Sequence, residues 1–426
     1  MERIDLKMQS LDKLFITGGN QLQGTVVIDG AKNSALSIMA ACLLSREVSI
    51  LENVPRLKDV YSMIEVIKIL GVKVEWEGIN TLSIDPDDFN NYEAPYELVK
   101  TMRASFLVMG PLLARLRKAK ISLPGGCAIG ARPVDFHLKG FRALGANITT
   151  EKGYIKAEVK HLKGNDIYID FPSLGATENI MMAASLADGT TIIENAAKDP
   201  EVIELGNFLN KMGAKIDGLG NDIITIQGVK KLKGVRYRII PDRIECGTYM
   251  IAAAITGGNI EIKHVNSYYL KSCIVKLEEA GLNVNILADS VFISDPNRIK
   301  SVDIKTMPFP GFPTDMQAQF MALMAIANGT SIITENVFEN RFAHAGDLRR
   351  MGADIKIEGR NSIVKGVKKL SAAPVMASDL RGGAALVLAA LAAEGTTEIS
   401  RIYHIDRGYV TLEEKLRNLG ANIRRG

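Results

Sequence analysis

The stretch LGANITT at residues 144–150 is one of six versions of a single phrase. A leucine or methionine, once an alanine, precedes a glycine, and a short apolar residue and an alternating run follow. The other five are LGVKVEW (70–76), MGAKIDG (212–218), AGLNVNI (280–286), MGADIKI (351–357) and LGANIRR (419–425). Glycines 71, 145, 213, 281, 352 and 420 are separated by 74, 68, 68, 71 and 68 residues. So regular a period marks an internal repeat. Ahead of the glycine lies an amphipathic run, as in KDVYSMIEVIKILG (58–71) and EVIELGNFLNKMG (201–213). A glycine there reads as the helix stop, and the alternation after it as a strand.

A second phrase keeps step with the first: GTTIIENA (189–196), GGNIEIKH (257–264), GTSIITEN (329–336), GTTEISRI (395–402) and, more weakly, VSILENV (48–54). Each reads as a strand entered through a glycine turn. Helices of another kind sit between these phrases, apolar nearly all round: ALSIMAACLL (35–44), NIMMAASLA (179–187), YMIAAAI (249–255), FMALMAIA (320–327) and AALVLAALAA (384–393). A helix without a polar face must be buried on every side. The expected fold is therefore α/β with its helices inside, in two domains of three repeats each.

Composition narrows the class. A chain of 426 residues with 47% apolar and 23% charged residues is ordinary for a globular protein of two or three domains. A net charge of +4 permits a local anion site and gives no basic surface for nucleic acid. The start MERIDLKMQS has no apolar leader core, and the longest apolar run, 384–393, is half a bilayer span. Cys42, Cys127, Cys246 and Cys273 form no C-x-x-C pair, so a reduced, cytoplasmic chain is expected. The five histidines form no metal-binding spacing, and no Walker loop or dinucleotide fingerprint is present. Neither metal nor cofactor is expected.

The residues ahead of the buried helices carry the chemistry: GAKN (30–33), KTMRAS (100–105), GATEN (175–179), PDRIECGT (241–248), PTDMQAQ (313–319) and SDLRGGA (378–384). They put Lys32, Arg103, Glu178, Asp242, Arg243, Asp315, Asp379 and Arg381 at helix N-termini. An aspartate there has a plain role as a cap. A lysine or arginine is disfavoured by the helix dipole and implies a compensating anion. The loop LPGGCAIGARPVDFH (123–137) sets Cys127 among glycines with Arg132 five residues on, and a nearby cation favours the thiolate. From spacing alone Cys127 is open to roles as nucleophile or acid.

These segments, with VPRLKDV (54–60), VFENRF (337–342) and RIYHIDRGY (401–409), resemble the UDP-N-acetylglucosamine 1-carboxyvinyltransferases, a family of the enolpyruvyl transferase superfamily, over nearly the whole chain. The resemblance implies two inside-out α/β barrels, 32–240 in one and 1–31 with 241–426 in the other. It implies transfer of the enolpyruvyl group of phosphoenolpyruvate to the 3-hydroxyl of UDP-N-acetylglucosamine with loss of phosphate, the first committed step of peptidoglycan precursor synthesis. By the same resemblance, Lys32 and Asn33 hold both substrates, and Arg132, Arg381 and Arg407 grip phosphate and carboxylate. Arg103, Arg132, Pro133, Val134, Asp135, Phe136, Ser173 and Val337 contact the UDP-sugar. Asp315 takes or orients the sugar hydroxyl proton. Cys127 protonates the methylene carbon or forms an adduct, and is the residue alkylated by fosfomycin. The related 5-enolpyruvylshikimate-3-phosphate synthases lack such a cysteine loop.

Overall fold

The computed structural model describes residues 12–99, 102–123, 134–294 and 299–426. All six repeat glycines adopt a positive φ: 94° at Gly71, 96° at Gly145, 107° at Gly213, 97° at Gly281, 91° at Gly352 and 101° at Gly420. A side chain in that left-handed region costs about 1–2 kcal/mol, which is why glycine ends each helix. The helices so ended are Lys58–Ile69, Asp135–Ala143, Pro200–Met212, Lys271–Glu279, Ala345–Arg350 and Leu412–Asn418. The strands that follow are Lys73–Trp76, Asn147–Glu151, Lys215–Asp217, Asn283–Ile286, Asp354–Glu358 and Asn422–Arg425. Each is the outermost strand of a four-stranded sheet.

The six sheets share one plan among the described residues. An edge strand pairs parallel with a second strand, which pairs antiparallel with a third, which pairs antiparallel with the strand after the glycine. Several sheets recruit a strand from far along the chain. Ser49–Glu52 lies parallel to Arg236–Arg238, and Gln23–Val27 lies parallel to Asn259–Lys263. The last repeat has no third strand of its own. Leu14–Thr17 supplies it, between Thr396–Ser400 and Asn422–Arg425.

Contacts divide the chain into two units. Of the described residues, the central unit holds 30–123 and 134–240, and the terminal unit holds 12–29 and 241–426. Each has three of the four-stranded sheets. In the terminal unit the helices Arg243–Thr256, Thr314–Met324 and Leu380–Ala392 pack on one another. Every residue of 244–255, 316–324 and 381–391 is buried. The sheets of this unit alternate buried and more exposed residues along strands such as Leu14–Thr17, Asn259–Lys263 and Asn361–Lys365, so one face covers these helices and the other meets solvent. This is an inside-out α/β barrel. Truncating a side chain such as Leu386, with no exposure, would cost about 2–5 kcal/mol.

The central unit departs from the regular pattern at one head. Arg103 opens a 3₁₀ stretch, Arg103–Val108, and the buried helix Met109–Leu116 starts only after it. Asn179 organises this step: its Oδ1 accepts from Gly110 N at 2.7 Å and its Nδ2 donates to Phe106 O at 2.9 Å. A Cβ at Gly110 would lie 2.7 Å from that Oδ1, so glycine lets the chain approach.

Candidate active site

In the terminal unit, the helix heads collect the charges. Asp242 caps Arg243–Thr256, its Oδ1 accepting from Ile244 N at 2.8 Å and Glu245 N at 3.0 Å. Asp379 caps Leu380–Ala392, its Oδ1 accepting from Arg381 N at 3.0 Å and Gly382 N at 3.1 Å. Burial alone would raise the Asp379 carboxyl, but the Arg341 charge and the helix N–H groups outweigh it and hold the group below its ordinary value. For these two aspartates the capping role is real.

Asp315 is different. It lies in the first turn of Thr314–Met324, two residues past the N-cap Pro313. Its Oδ1 accepts from Arg341 Nη2 at 2.6 Å, and its Oδ2 accepts from Arg381 Nε at 3.2 Å and Nη2 at 3.0 Å. Both arginine side chains are 4% exposed, whereas that of Asp315 is 30% exposed. Burial opposes the Arg381 charge, yet Asp315, Tyr409 and Asp242 together leave its proton bound more tightly than usual. The remaining amine of Arg381, Nη1, donates to the Tyr409 hydroxyl at 3.2 Å. That hydroxyl also meets Thr248 Oγ1 at 2.9 Å and Gln319 Nε2 at 3.5 Å.

Arg341 arrives on a loop that Glu335 shapes. The buried Glu335 carboxylate accepts from the hydroxyls of Thr306 and Thr314 and from the backbone N–H of Val337 and Phe338. Three residues past Arg341, His344 is 1% exposed. Burial pushes its pKa down to about 4, so it is neutral at ordinary pH. Arg407 ends the 3₁₀ stretch Ile402–Arg407 and is half-buried.

In the central unit, Lys32 is the first residue of Lys32–Ala41, preceded by Ala31 without a side-chain cap. Its Nζ pairs with Asp59 Oδ2 at 3.1 Å, with 12% and 6% side-chain exposure. Half-buried Asn33 follows it on the helix. Ser173 caps Leu174–Ala184, accepting from Ala176 N at 3.4 Å. Val134 precedes the helix Asp135–Ala143, which Asp135 and Phe136 open. His137 is half-buried, and its imidazole pKa is lowered to about 3, first by desolvation and then by the nearby Arg103 charge. Glu178 is no helix head. It is the fifth residue of its helix, buried, and burial raises its carboxyl far above the ordinary value. Cys127, Arg132 and Pro133 lie outside the described residues.

The structure therefore brings Asp315 and Arg381 into one cluster with a second arginine that the motif reading did not single out, although Arg341 stands inside VFENRF. Asp59 was missed too, inside VPRLKDV. Among the described residues no group of three or more His, Cys, Asp or Glu side chains is arranged to hold a metal ion. No helix among them is long and apolar enough to cross a membrane.

Residues 16–416 match the EPSP synthase (3-phosphoshikimate 1-carboxyvinyltransferase) family. A UDP-N-acetylglucosamine 1-carboxyvinyltransferase 1 from Caldanaerobacter subterraneus subsp. tengcongensis is 59% identical over 413 residues, covering 97% of this chain and 99% of the relative. A UDP-N-acetylglucosamine 1-carboxyvinyltransferase from Geotalea uraniireducens is 55% identical over 413 residues, with the same coverage. Among solved structures, the enolpyruvyl transferase NikO from Streptomyces tendae superposes with a TM-score of 0.86 at 25% identity, covering 98% of this chain and 99% of that one. An EPSP synthase from Acinetobacter baumannii shares the fold with a TM-score of 0.76 at 18% identity, covering 97% of this chain and 100% of that one.

Proposed function

This chain belongs to the UDP-N-acetylglucosamine 1-carboxyvinyltransferase family, within the wider EPSP synthase family, and from that membership we propose that it transfers the enolpyruvyl group of phosphoenolpyruvate to the 3-hydroxyl of UDP-N-acetylglucosamine, in the cytoplasm, opening peptidoglycan precursor synthesis. The observation that carries the reading is identity above half over 97% of the chain with relatives of that name. The cluster in the terminal unit supports it: it sets a partly exposed carboxylate beside two buried guanidiniums, the group types that a proton transfer and an anionic substrate call for.

The chemistry is addition and then elimination. The sugar oxygen bonds to C2 of phosphoenolpyruvate while its proton passes to Asp315. The double-bond pair takes a proton at C3 from Cys127. The tetrahedral adduct then loses phosphate, which carries off the proton held by Asp315, and returns a C3 proton to the Cys127 thiolate, restoring the double bond. Arg381, Arg407 and Arg132 hold the phosphate and carboxylate, for which the planar guanidinium fork is shaped. Lys32 adds a point charge, and Asn33 a hydrogen bond. Arg103, Pro133, Val134, Asp135, Phe136, Ser173 and Val337 seat the UDP-sugar. Fixed cations and helix N–H groups aimed at the developing charge supply the rate without reorganisation.

The test is phosphate release from phosphoenolpyruvate with each of two acceptors. Release with UDP-N-acetylglucosamine is expected. Release only with shikimate 3-phosphate would refute the assignment.

A further inference from the structure

Two demands meet at Asp315 in the function proposed above. The Nε/Nη2 edge of Arg381 must grip an anionic group of phosphoenolpyruvate, and Asp315 must accept the sugar proton. In the structure these two groups are spent on each other. Arg381 lays that edge on Asp315 Oδ2 at 3.2 and 3.0 Å, and Arg341 covers Oδ1 at 2.6 Å. An arginine edge filled by a carboxylate has no room for a phosphate. A carboxylate bearing two guanidiniums is a poor proton acceptor, because both charges favour its ionised form.

We propose that the Asp315–Arg381 pair is a latch that phosphoenolpyruvate opens: its anionic group takes the Arg381 edge, and the freed Asp315 carboxylate becomes the base for the sugar hydroxyl. This deepens the function proposed above and rests on it. The geometry has the parts such an exchange needs. Arg381 keeps a fixed point while its working edge changes partner, since Nη1 stays on the Tyr409 hydroxyl at 3.2 Å and that hydroxyl is braced by Thr248 at 2.9 Å. Tyr409 is 2% exposed and comes from the segment 401–409, remote in sequence from both partners of the latch. It is a positioning residue. The Asp315 side chain is 30% exposed, so the carboxylate can turn to a ligand while the arginines, 4% exposed, stay seated.

The exchange conserves charge and atoms. One anion replaces another on Arg381, and Asp315 then receives the proton lost by the sugar oxygen as the O–C2 bond forms. The electron pair of the C2=C3 bond takes a separate proton at C3. Without phosphoenolpyruvate the base stays masked, so the acceptor alone meets no active carboxylate.

The experiment uses sulfate, a tetrahedral dianion that does not titrate near neutrality, and the full chain. Asp315→Asn removes the competitor for Arg381, so sulfate is expected to bind about fivefold more tightly, while turnover falls by about a hundredfold or more. Equal or weaker sulfate binding by the variant overturns the latch. Should the variant fail to fold, the unaltered chain decides. Calorimetry at about pH 4, close to the ordinary aspartate pKa, in buffers of different ionisation enthalpy, is expected to show proton uptake with sulfate as Asp315 is unmasked, and no uptake overturns the proposal. Phosphate release from phosphoenolpyruvate and UDP-N-acetylglucosamine by the unaltered chain is measured in parallel. Its absence would sink the functional assignment alone, whereas turnover with unchanged sulfate binding would sink the latch alone.

Discussion

Tyr409→Phe removes one oxygen from the centre of the terminal unit and nothing else. The ring volume is kept, so no cavity forms. The lost contacts are the hydrogen bond from Arg381 Nη1 at 3.2 Å, the pairing with Thr248 Oγ1 at 2.9 Å and the long one with Gln319 at 3.5 Å. Thr248 keeps its bond to Ile244 O at 2.8 Å, and Gln319 keeps Asp315 O at 2.8 Å. Arg381 keeps Asp315 but has a buried charged N–H left without its partner. A hydrogen bond to a charged group contributes about 1.5–3 kcal/mol, and leaving the donor buried adds to the loss. A net cost of about 2 kcal/mol is expected, equivalent to about thirtyfold in the folding equilibrium. Urea unfolding followed by circular dichroism measures it. The same change loosens the fixed point of Arg381, so KM for phosphoenolpyruvate should rise about three- to tenfold with a smaller effect on kcat. A stability change under about 0.5 kcal/mol together with an unchanged KM would refute the account of Tyr409 as the brace of Arg381.

Three further outcomes are expected. Cys127→Ser should be nearly inactive and Cys127→Asp should turn over but resist fosfomycin; mass spectrometry of the treated, unaltered chain should show one adduct, on Cys127, and an adduct elsewhere would contradict the loop assignment. Glu204, which accepts from Ile240 N at 3.0 Å, has its pKa raised to about 8, chiefly by burial. The folded chain therefore favours its protonated form, so this stability is present below the ordinary carboxylate range and is lost as pH rises through about 8. Glu204→Gln should flatten that part of the stability-versus-pH curve, and an unchanged slope in denaturation midpoints would count against it. Gly30→Ala places a Cβ 1.8 Å from the Asn53 carbonyl oxygen, a backbone atom that no rotamer change can move aside. Overpacking of that kind costs about 1–3 kcal/mol or more, and because Gly30 is two residues from Lys32 the variant should lose both thermal stability and affinity for phosphoenolpyruvate. Wild-type values for both would show that the segment can shift freely.

The legible part of the site was the part written in contiguous motifs. DLRGGA and PTDMQAQ placed Arg381 and Asp315 at the heads of two buried helices, and the helices start where those motifs stand. The partners were not legible. Arg341 reaches Asp315 across 26 positions, Arg381 across 66, and Tyr409 reaches Arg381 across 28. Asp59 reaches Lys32 across 27. Glu178 looked like a helix head because GATEN resembles the other heads, but Ser173 takes the cap and buries Glu178 a turn further in. The signal available was the capping preference of serine five residues earlier.

What the sequence determined by itself was periodic and local. Six glycines at intervals of about 70 residues dictated six helix ends, because only glycine takes φ near 100° without strain. Helices with no polar face dictated their own burial, and so the inverted order of layers. Tertiary structure alone decided how the last repeat closes and which charges meet. Leu14–Thr17 completes a sheet with strands about 400 positions away, and Asp315 finds two arginines from other elements. Local preference acts over one helix turn or one strand, whereas strand pairing and ion pairing act through space, and space is set only once the helices are buried.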